Sequence, residues 1–220
     1  ELREFELADR AFRRAIELKP GYATAHHWYS TQMLLEVGKV EDAGRAMLRA
    51  RELDPLSLII NTDLGRHYYY IRDFVTAKDR VSYVLSLDGH FIKAQRLMYL
   101  ILWQMGDYEN AIAHIPEWLP PYTGQKRDDN DWPDVLSKSG PEGVLRRQLT
   151  IMQTAKGGYP LHYARAAIHA LLGEAGQSVD ALQENIRSRS VNLAGLRMDS
   201  MLDPIRSHPR FVELLNSLGI

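Results

Sequence analysis

Three stretches, "GKVEDA" at 38–43, "RDFVTA" at 72–77 and "GDYENA" at 106–111, stand 34 residues apart. A pattern that recurs at this interval constrains the fold more than any composition does. Each copy is one supersecondary unit that cannot bury its own apolar face and must stack on a neighbour. The aligned columns are Gly38, Arg72, Gly106; Val40, Phe74, Tyr108; Ala43, Ala77, Ala111; Met47, Val81, Ile115; and Ala50, Val84, Trp118. Pro55 and Gly89 fall where a helix should stop. Upstream, at a step of 35, Phe5, Ala8, Phe12, Ala15 and Pro20 match Val40, Ala43, Met47, Ala50 and Pro55.

The spacing has a geometric meaning. An alanine and the apolar residues four and seven places later share one helical face. Alanine is small, so another helix approaches closely there. The glycine or arginine column marks the turn before that helix, because helices often end on a left-handed residue. Each unit is therefore expected to be a pair of antiparallel helices of roughly 12 to 14 residues, joined by tight turns.

These residues resemble the tetratricopeptide repeat. The copy from Leu58 to about Phe91 holds Leu64, Gly65, Tyr68, Asp73, Phe74, Ala77 and Val81. The copy from Thr24 to Ser57 holds Leu34, Gly38, Ala43, Met47, Ala50 and Pro55, and the copy from Ile92 holds Leu102, Gly106, Asp107, Tyr108 and Ala111. The chain departs from the family where His27, Asn61 and Gln95 replace its first-helix tryptophan, and where Trp118 enlarges an alanine column. The resemblance spans about residues 2 to 118. It implies an all-α, right-handed superhelical solenoid whose first helices line a concave groove.

Residues 119–141 break the rhythm with four prolines, two glycines and the run Asp128-Asp129-Asn130-Asp131, and are expected to be a loop or insert. Residues 142–220 are expected to be helical again. They begin with Leu145, Leu149 and Met152 on one face and continue with a degenerate repeat in which Gly176, Ser178 and Ala181 echo the turn and alanine columns. The ending "LDPIRSHPRFVELLNSLGI" reads as two short capping helices, with Asp203 and Ser207 as caps. That ending is similar to the closing segment of repeat regions in bacterial signalling and transcriptional regulators. The resemblance implies a regulatory context and attachment to another domain. The opening Glu1 suggests a fragment of a longer chain.

Chemistry is sparse. Lys and Arg total 27 against 28 Asp and Glu, a net charge of −1, so no global field draws in nucleic acid or an acidic membrane. No apolar run is long enough to span a bilayer, and a cytoplasmic location is expected. The absence of cysteine excludes disulfides and thiolate chemistry. Adjacent His26 and His27 point about 100° apart on a helix, poor geometry for one metal ion, and His162 and His169 lack a third ligand nearby. The acidic run lacks the glycine and distal glutamate of a calcium loop. No phosphate cradle or nucleophile elbow occurs. No enzyme activity, cofactor or metal is expected.

The resemblance places Trp28, Tyr29, Gln32 and Glu36 on the inner face, followed by Thr62, Asp63, Arg66, Tyr69 and Tyr70, then Lys93, Arg96, Trp103 and Gln104. Aromatics, arginines and amides of this kind are enriched at binding hot spots. The alternative for Trp28, Tyr69 and Trp103 is packing within the stack or against the second half of the chain. A clamp for a chaperone's C-terminal carboxylate is excluded, since only Lys93 fits it and Asp63 would repel the ligand. The leading expectation is a module that binds a protein segment or sibling domain in the groove. A sensor for a small effector, with Trp132 or Tyr68 to Tyr70 lining its pocket, is the second. Self-association through Phe5, Phe12 and Ile16 to form a homodimer is the third.

Overall fold

A computed structural model describes residues 2–123, 131–154, 161–188 and 192–220. Among them the structure is all-α, with no strand. It divides into two compact units. The first comprises the described residues of Glu1–Phe91 with Asn192–Met198, and the second those of Ile92–Val191 with Asp199–Ile220.

The first unit contains α1 (Leu2–Leu18), α2 (Ala23–Tyr29), α3 (Val40–Leu53), α4 (Leu58–Tyr70), α5 (Phe74–Leu87) and the short α12 (Leu193–Met198). A π-helical turn, Ser30–Leu34, extends α2, with the Leu35 amide donating to the Ser30 carbonyl at 3.0 Å. α2 packs on α3 and α4 on α5 as helical hairpins. Ala43 and Ala77 are fully buried, as a small-residue column requires. Gly65 makes the closest approach. A Cβ added there would lie 2.8 Å from Val81 Cγ2.

The turn column is a backbone fact as well as a sequence one. Gly38, Arg72 and Gly106 have φ of 78°, 67° and 75°. Each turn repeats one hydrogen-bond pattern. At Arg72, its own amide donates to the Tyr69 carbonyl (3.1 Å) and the Asp73 amide donates to the Tyr68 carbonyl (3.0 Å). This is the Schellman arrangement, which satisfies the last carbonyls of a helix. Asp73 and Asp107 then cap the next helix, accepting from the Thr76 and Asn110 amides at 3.1 and 3.4 Å.

The second unit contains α6 (Ile92–Gln104), α7 (Tyr108–Ile112), α8 (Ile115–Thr123), α9 (Trp132–Thr154), α10 (His162–Leu171), α11 (Ala175–Arg187) and α13 (Pro209–Ser217). A 3₁₀ turn, Ser200–Ile205, precedes α13. Here the second helix of the repeat is split, with α7 ending at Ile112 and α8 starting at Ile115. Pro116 has no amide hydrogen to continue α7. α9 is itself broken at Gly140, whose φ of 63° and ψ of −170° are not helical.

Several expectations are corrected here. The stretch 119–141 is not one loop. α8 continues through Pro120 and Pro121 to Thr123, and burial of Trp118 and Leu119 holds it despite the lost backbone bonds. α9 begins at Trp132, which is buried, while Asp131 accepts from the Asp134 amide at 3.0 Å. The acidic residues 128–130 lie outside the described residues. The degenerate repeat turns at Gly173 (φ 74°), not Gly176, and Ser178 fills the alanine column. The Ser178 hydroxyl donates to the Ala166 carbonyl at 2.7 Å. At the C-terminus the cap is Asp199, which accepts from the Met201 amide at 3.0 Å. Asp203 instead pairs with Arg206 at 2.7 Å. No side chain caps α13, which starts on Pro209, where a missing amide hydrogen costs nothing.

Candidate binding face and a cavity

In the first unit the proposed inner residues separate into packed and open ones. Tyr29 is buried. Its hydroxyl donates to Asp9 at 2.7 Å, and its ring lies 5.8 Å from Phe12. Burial and the Asp9 carboxylate push the Tyr29 phenol up to about 12. Thr62 is buried and donates to the Leu58 carbonyl at 2.7 Å. Tyr69 is 1% exposed, with Tyr70 and Phe74 rings 5.9 and 5.7 Å away, and Tyr70 is also buried. These four side chains are packed within the unit, leaving little of their surface exposed. The cluster Tyr68 to Tyr70 is not part of the lining of the cavity described below.

Two pairings organise the rest of that face. His27 Nε2 lies 2.8 Å from Asp63 Oδ2, both side chains buried, which ties α2 to α4. Arg66 pairs with the other Asp63 oxygen at 3.1 Å. Trp28 next to this pair is 55% exposed, and Gln32, one turn on, is also exposed.

Glu36 has a different task. Its carboxylate accepts from the Leu193 and Ala194 amides at 2.8 and 3.4 Å, capping α12. Arg197 donates to the Glu36 backbone carbonyl. Burial raises the Glu36 pKa, against the lowering effect of those amides and Arg197. Sequence reasoning missed Arg197 and the whole 192–198 contact, because a partner 157 residues away leaves no periodic trace.

In the second unit Lys93 is exposed. Trp103 is buried between Tyr99 and Tyr108, with ring centroids at 5.4 and 4.9 Å. The Gln104 amide points its nitrogen at Met201 Sδ, 3.1 Å away. Arg96 lies over the Trp118 ring at 5.7 Å.

Arg96 and Trp118 belong to the lining of a cavity of ≈ 20 Å³, measured over positions open to the centre of a water-sized sphere. Tyr99, Gln148, Met152, Tyr163, Ala167, Asp199 and Met201 also line it. The sequence singled out Arg96 only as part of an open face. Trp132, expected at such a site, is not in the lining; Arg147 covers its ring at 5.7 Å. The two histidines weighed as metal ligands in the second unit lie beside carboxylates. His162 lies 3.1 Å from Glu184 and His169 lies 2.7 Å from Glu174. Among the described residues no three metal-binding side chains converge, and no helix is long and apolar enough to cross a membrane.

No family model matches the chain, and no curated protein matches it. Among solved structures, one titled "Crystal structure of MamA" is similar at 16% identity and a TM-score of 0.45, covering 85% of this chain and 92% of that one.

Proposed function

We propose that this chain is a non-catalytic interaction module of a larger bacterial regulator, binding a protein segment or sibling domain. The binding face lies on the first helices of the first unit. One observation carries this reading. Trp28, a large aromatic, is left 55% exposed while its neighbours Tyr29 and His27 are buried. Exposed tryptophan, with an arginine and an exposed amide on the same unit, has the residue types of a binding hot spot. Gln32 follows it four residues on, and Arg66 on α4 is paired to Asp63, which the His27 ring also meets. Aromatic burial would supply affinity and the Arg66 charge would set polarity. Lys93 and Gln104 belong to the second unit and are not required by this reading. The regulatory context is supported by the resemblance of the closing segment.

The test is a photoreactive residue placed at Gln32 and, separately, at exposed Ser82 on α5. The Gln32 probe should capture one defined polypeptide, and Trp28→Ala or Arg66→Glu should reduce that capture at least about tenfold. Equal capture from Ser82, or capture indifferent to both substitutions, would exclude this face.

A further inference from the structure

We infer that α12 is an internal ligand of the first unit, seated on a site that a helical segment of a partner protein takes by displacing it. The site is built on Glu36 and stands apart from the Trp28 face.

Glu36 lies two residues before the turn column, and the same position in the next copies is Tyr70 and Gln104. Tyr70 is buried. The other two each hold a residue from one short, distant stretch of chain. In the first unit the Glu36 carboxylate accepts from the Leu193 and Ala194 amides. In the second unit the Gln104 nitrogen lies 3.1 Å from Met201 Sδ. Repeat proteins bind polypeptide on surfaces built from equivalent positions of their units. The double use of this position on the stretch 192–201 follows that pattern.

In the first unit the contact is reciprocal between two helix ends. Glu36 brings an acidic group to the N-terminus of α12, and Arg197 brings a cation to the C-terminal end of the helix that carries Glu36. Each charge opposes the helix dipole that it meets. The amides of the turn itself go elsewhere, Lys39 donating to the Leu34 carbonyl at 2.8 Å and Gly38 to the Leu35 carbonyl at 3.1 Å. The Glu36 carbonyl is left for Arg197, which donates to it. Asn192 Oδ1 accepts from the Gly195 amide at 2.7 Å and caps the segment, while Ala194, Gly195 and Leu196 are buried.

These contacts also define what can replace α12. It has six residues, fewer than two turns, and a helix so short does not persist without its docking contacts. Glu36 reads backbone amides, which any capped helix start offers. The side-chain demands fall on the cap, on small residues in the first turn, and on the Leu196-Arg197 pair. The partner segment is therefore a capping Asn, Asp, Ser or Thr, a first turn of small residues, and a leucine followed by arginine.

The probe is a fluorescein-labelled peptide with blocked ends and the sequence of residues 191–200, titrated by anisotropy against the full chain. The parent already holds α12 at an effective concentration on the order of millimolar. Two released chains lower that competition. One carries Leu196→Ala with Arg197→Glu. The milder one carries Leu193→Pro with Arg197→Ala, since proline suits a first helical position and removes one amide that Glu36 accepts. Both should bind the peptide at least about tenfold more tightly than the parent does. Adding Glu36→Ala to a released chain should weaken binding at least about tenfold, and so should alanine at the peptide's arginine. If the first released chain does not fold by circular dichroism, the milder one decides. No binding to a folded released chain, affinity equal to the parent's, or affinity indifferent to Glu36→Ala would overturn the inference. A concentration-dependent dimer of the parent that Glu36→Ala dissolves would give the site to α12 of a second copy, and the assignment to a partner would fall. Capture at Gln32 reports on the Trp28 face separately, so either reading can fail while the other stands.

Discussion

Tyr99 occupies, 34 residues on, the repeat position that Gly65 holds in the preceding copy. At Gly65 the absent side chain lets α5 come so near that a Cβ would meet Val81 at 2.8 Å. At Tyr99 a ring fills the place instead, 5.5 Å from Trp118. Trp118 itself replaces the small residues Ala50 and Val84 of its column. Two large side chains cannot share a close-contact spot, and in this copy the second helix is split into α7 and α8. The cavity lies beside the same two rings. Pro116 breaks the second helix of this copy, and the departure from small residues goes with the room beside the two rings.

Gly65→Ala should therefore destabilise the first unit by about 1 to 3 kcal/mol through overpacking. The clash is with a side-chain methyl, so Val81→Ala should relieve part of it. Urea unfolding of the two single variants and the double variant measures this. Additive losses would show that the close approach is not what Gly65 serves.

Arg72 is the one non-glycine residue with positive φ among the described residues, at 67°. Its equivalents Gly38 and Gly106 adopt the same conformation without a Cβ. A left-handed L-residue costs roughly 1 to 2 kcal/mol, and glycine gives part of that back through unfolded-state entropy. Arg72→Gly should raise stability by about 0.5 to 1 kcal/mol. Gly106→Ala, where no atom lies within 4 Å of the new Cβ, should lower it by about 1 kcal/mol. Thermal midpoints moving in the same direction for both variants would contradict the assignment of these turns.

How far the fold was legible follows from these positions. The period, the alanine column and the turn column are local in sequence, and they emerged in the first unit as expected. The segment 119–141 misled because prolines and charges read as loop, whereas Trp118, Leu119 and Trp132 gain enough burial to hold helices around them. The first-unit site was half legible. Helical spacing marks which residues share a face, yet it does not distinguish Trp28, left in solvent, from Tyr69, enclosed by Tyr70 and Phe74. The cavity was illegible, since its lining joins α6, α8, α9, α10 and Asp199–Met201 across stretches with no common repeat.

His67 provides a pH-dependent reading of the first unit. It is buried, its Nδ1 has no partner, and burial holds its pKa below the ordinary 6.5, outweighing the opposing Glu41 charge. The folded state therefore favours the neutral ring. Stability from this group is complete above about 6.5 and is lost as pH falls through that value towards the lower folded pKa. Urea midpoints measured from pH 7.5 down to 5 should fall, and His67→Leu should flatten part of that slope. His114, also lowered by burial, should leave a residual slope. An unchanged slope in His67→Leu would remove His67 as its source.

Glu36 tests what holds 192–198 to the first unit. Its carboxylate receives two α12 amides, and bonds to a charged group are worth about 1.5 to 3 kcal/mol each. Ala194 and Leu196 are also buried, so apolar contact competes as the main anchor. Hydrogen exchange separates the two. In Glu36→Ala the Leu193 and Ala194 amides should exchange about 10 to 100 times faster than in the parent, while α4 amides keep their protection. Protection unchanged at Leu193 and Ala194 would assign the anchor to Leu196 and its neighbours. pH adds a second check. The folded pKa of Glu36 is raised from 4.5, so its stabilising contribution is complete below about 4.5 and declines as pH rises through the raised value. Glu36→Gln has no such decline. Its cost relative to the parent should therefore shrink between pH 4 and pH 7, and a cost that grows over that interval would show that the ionised carboxylate, rather than burial, dominates the site.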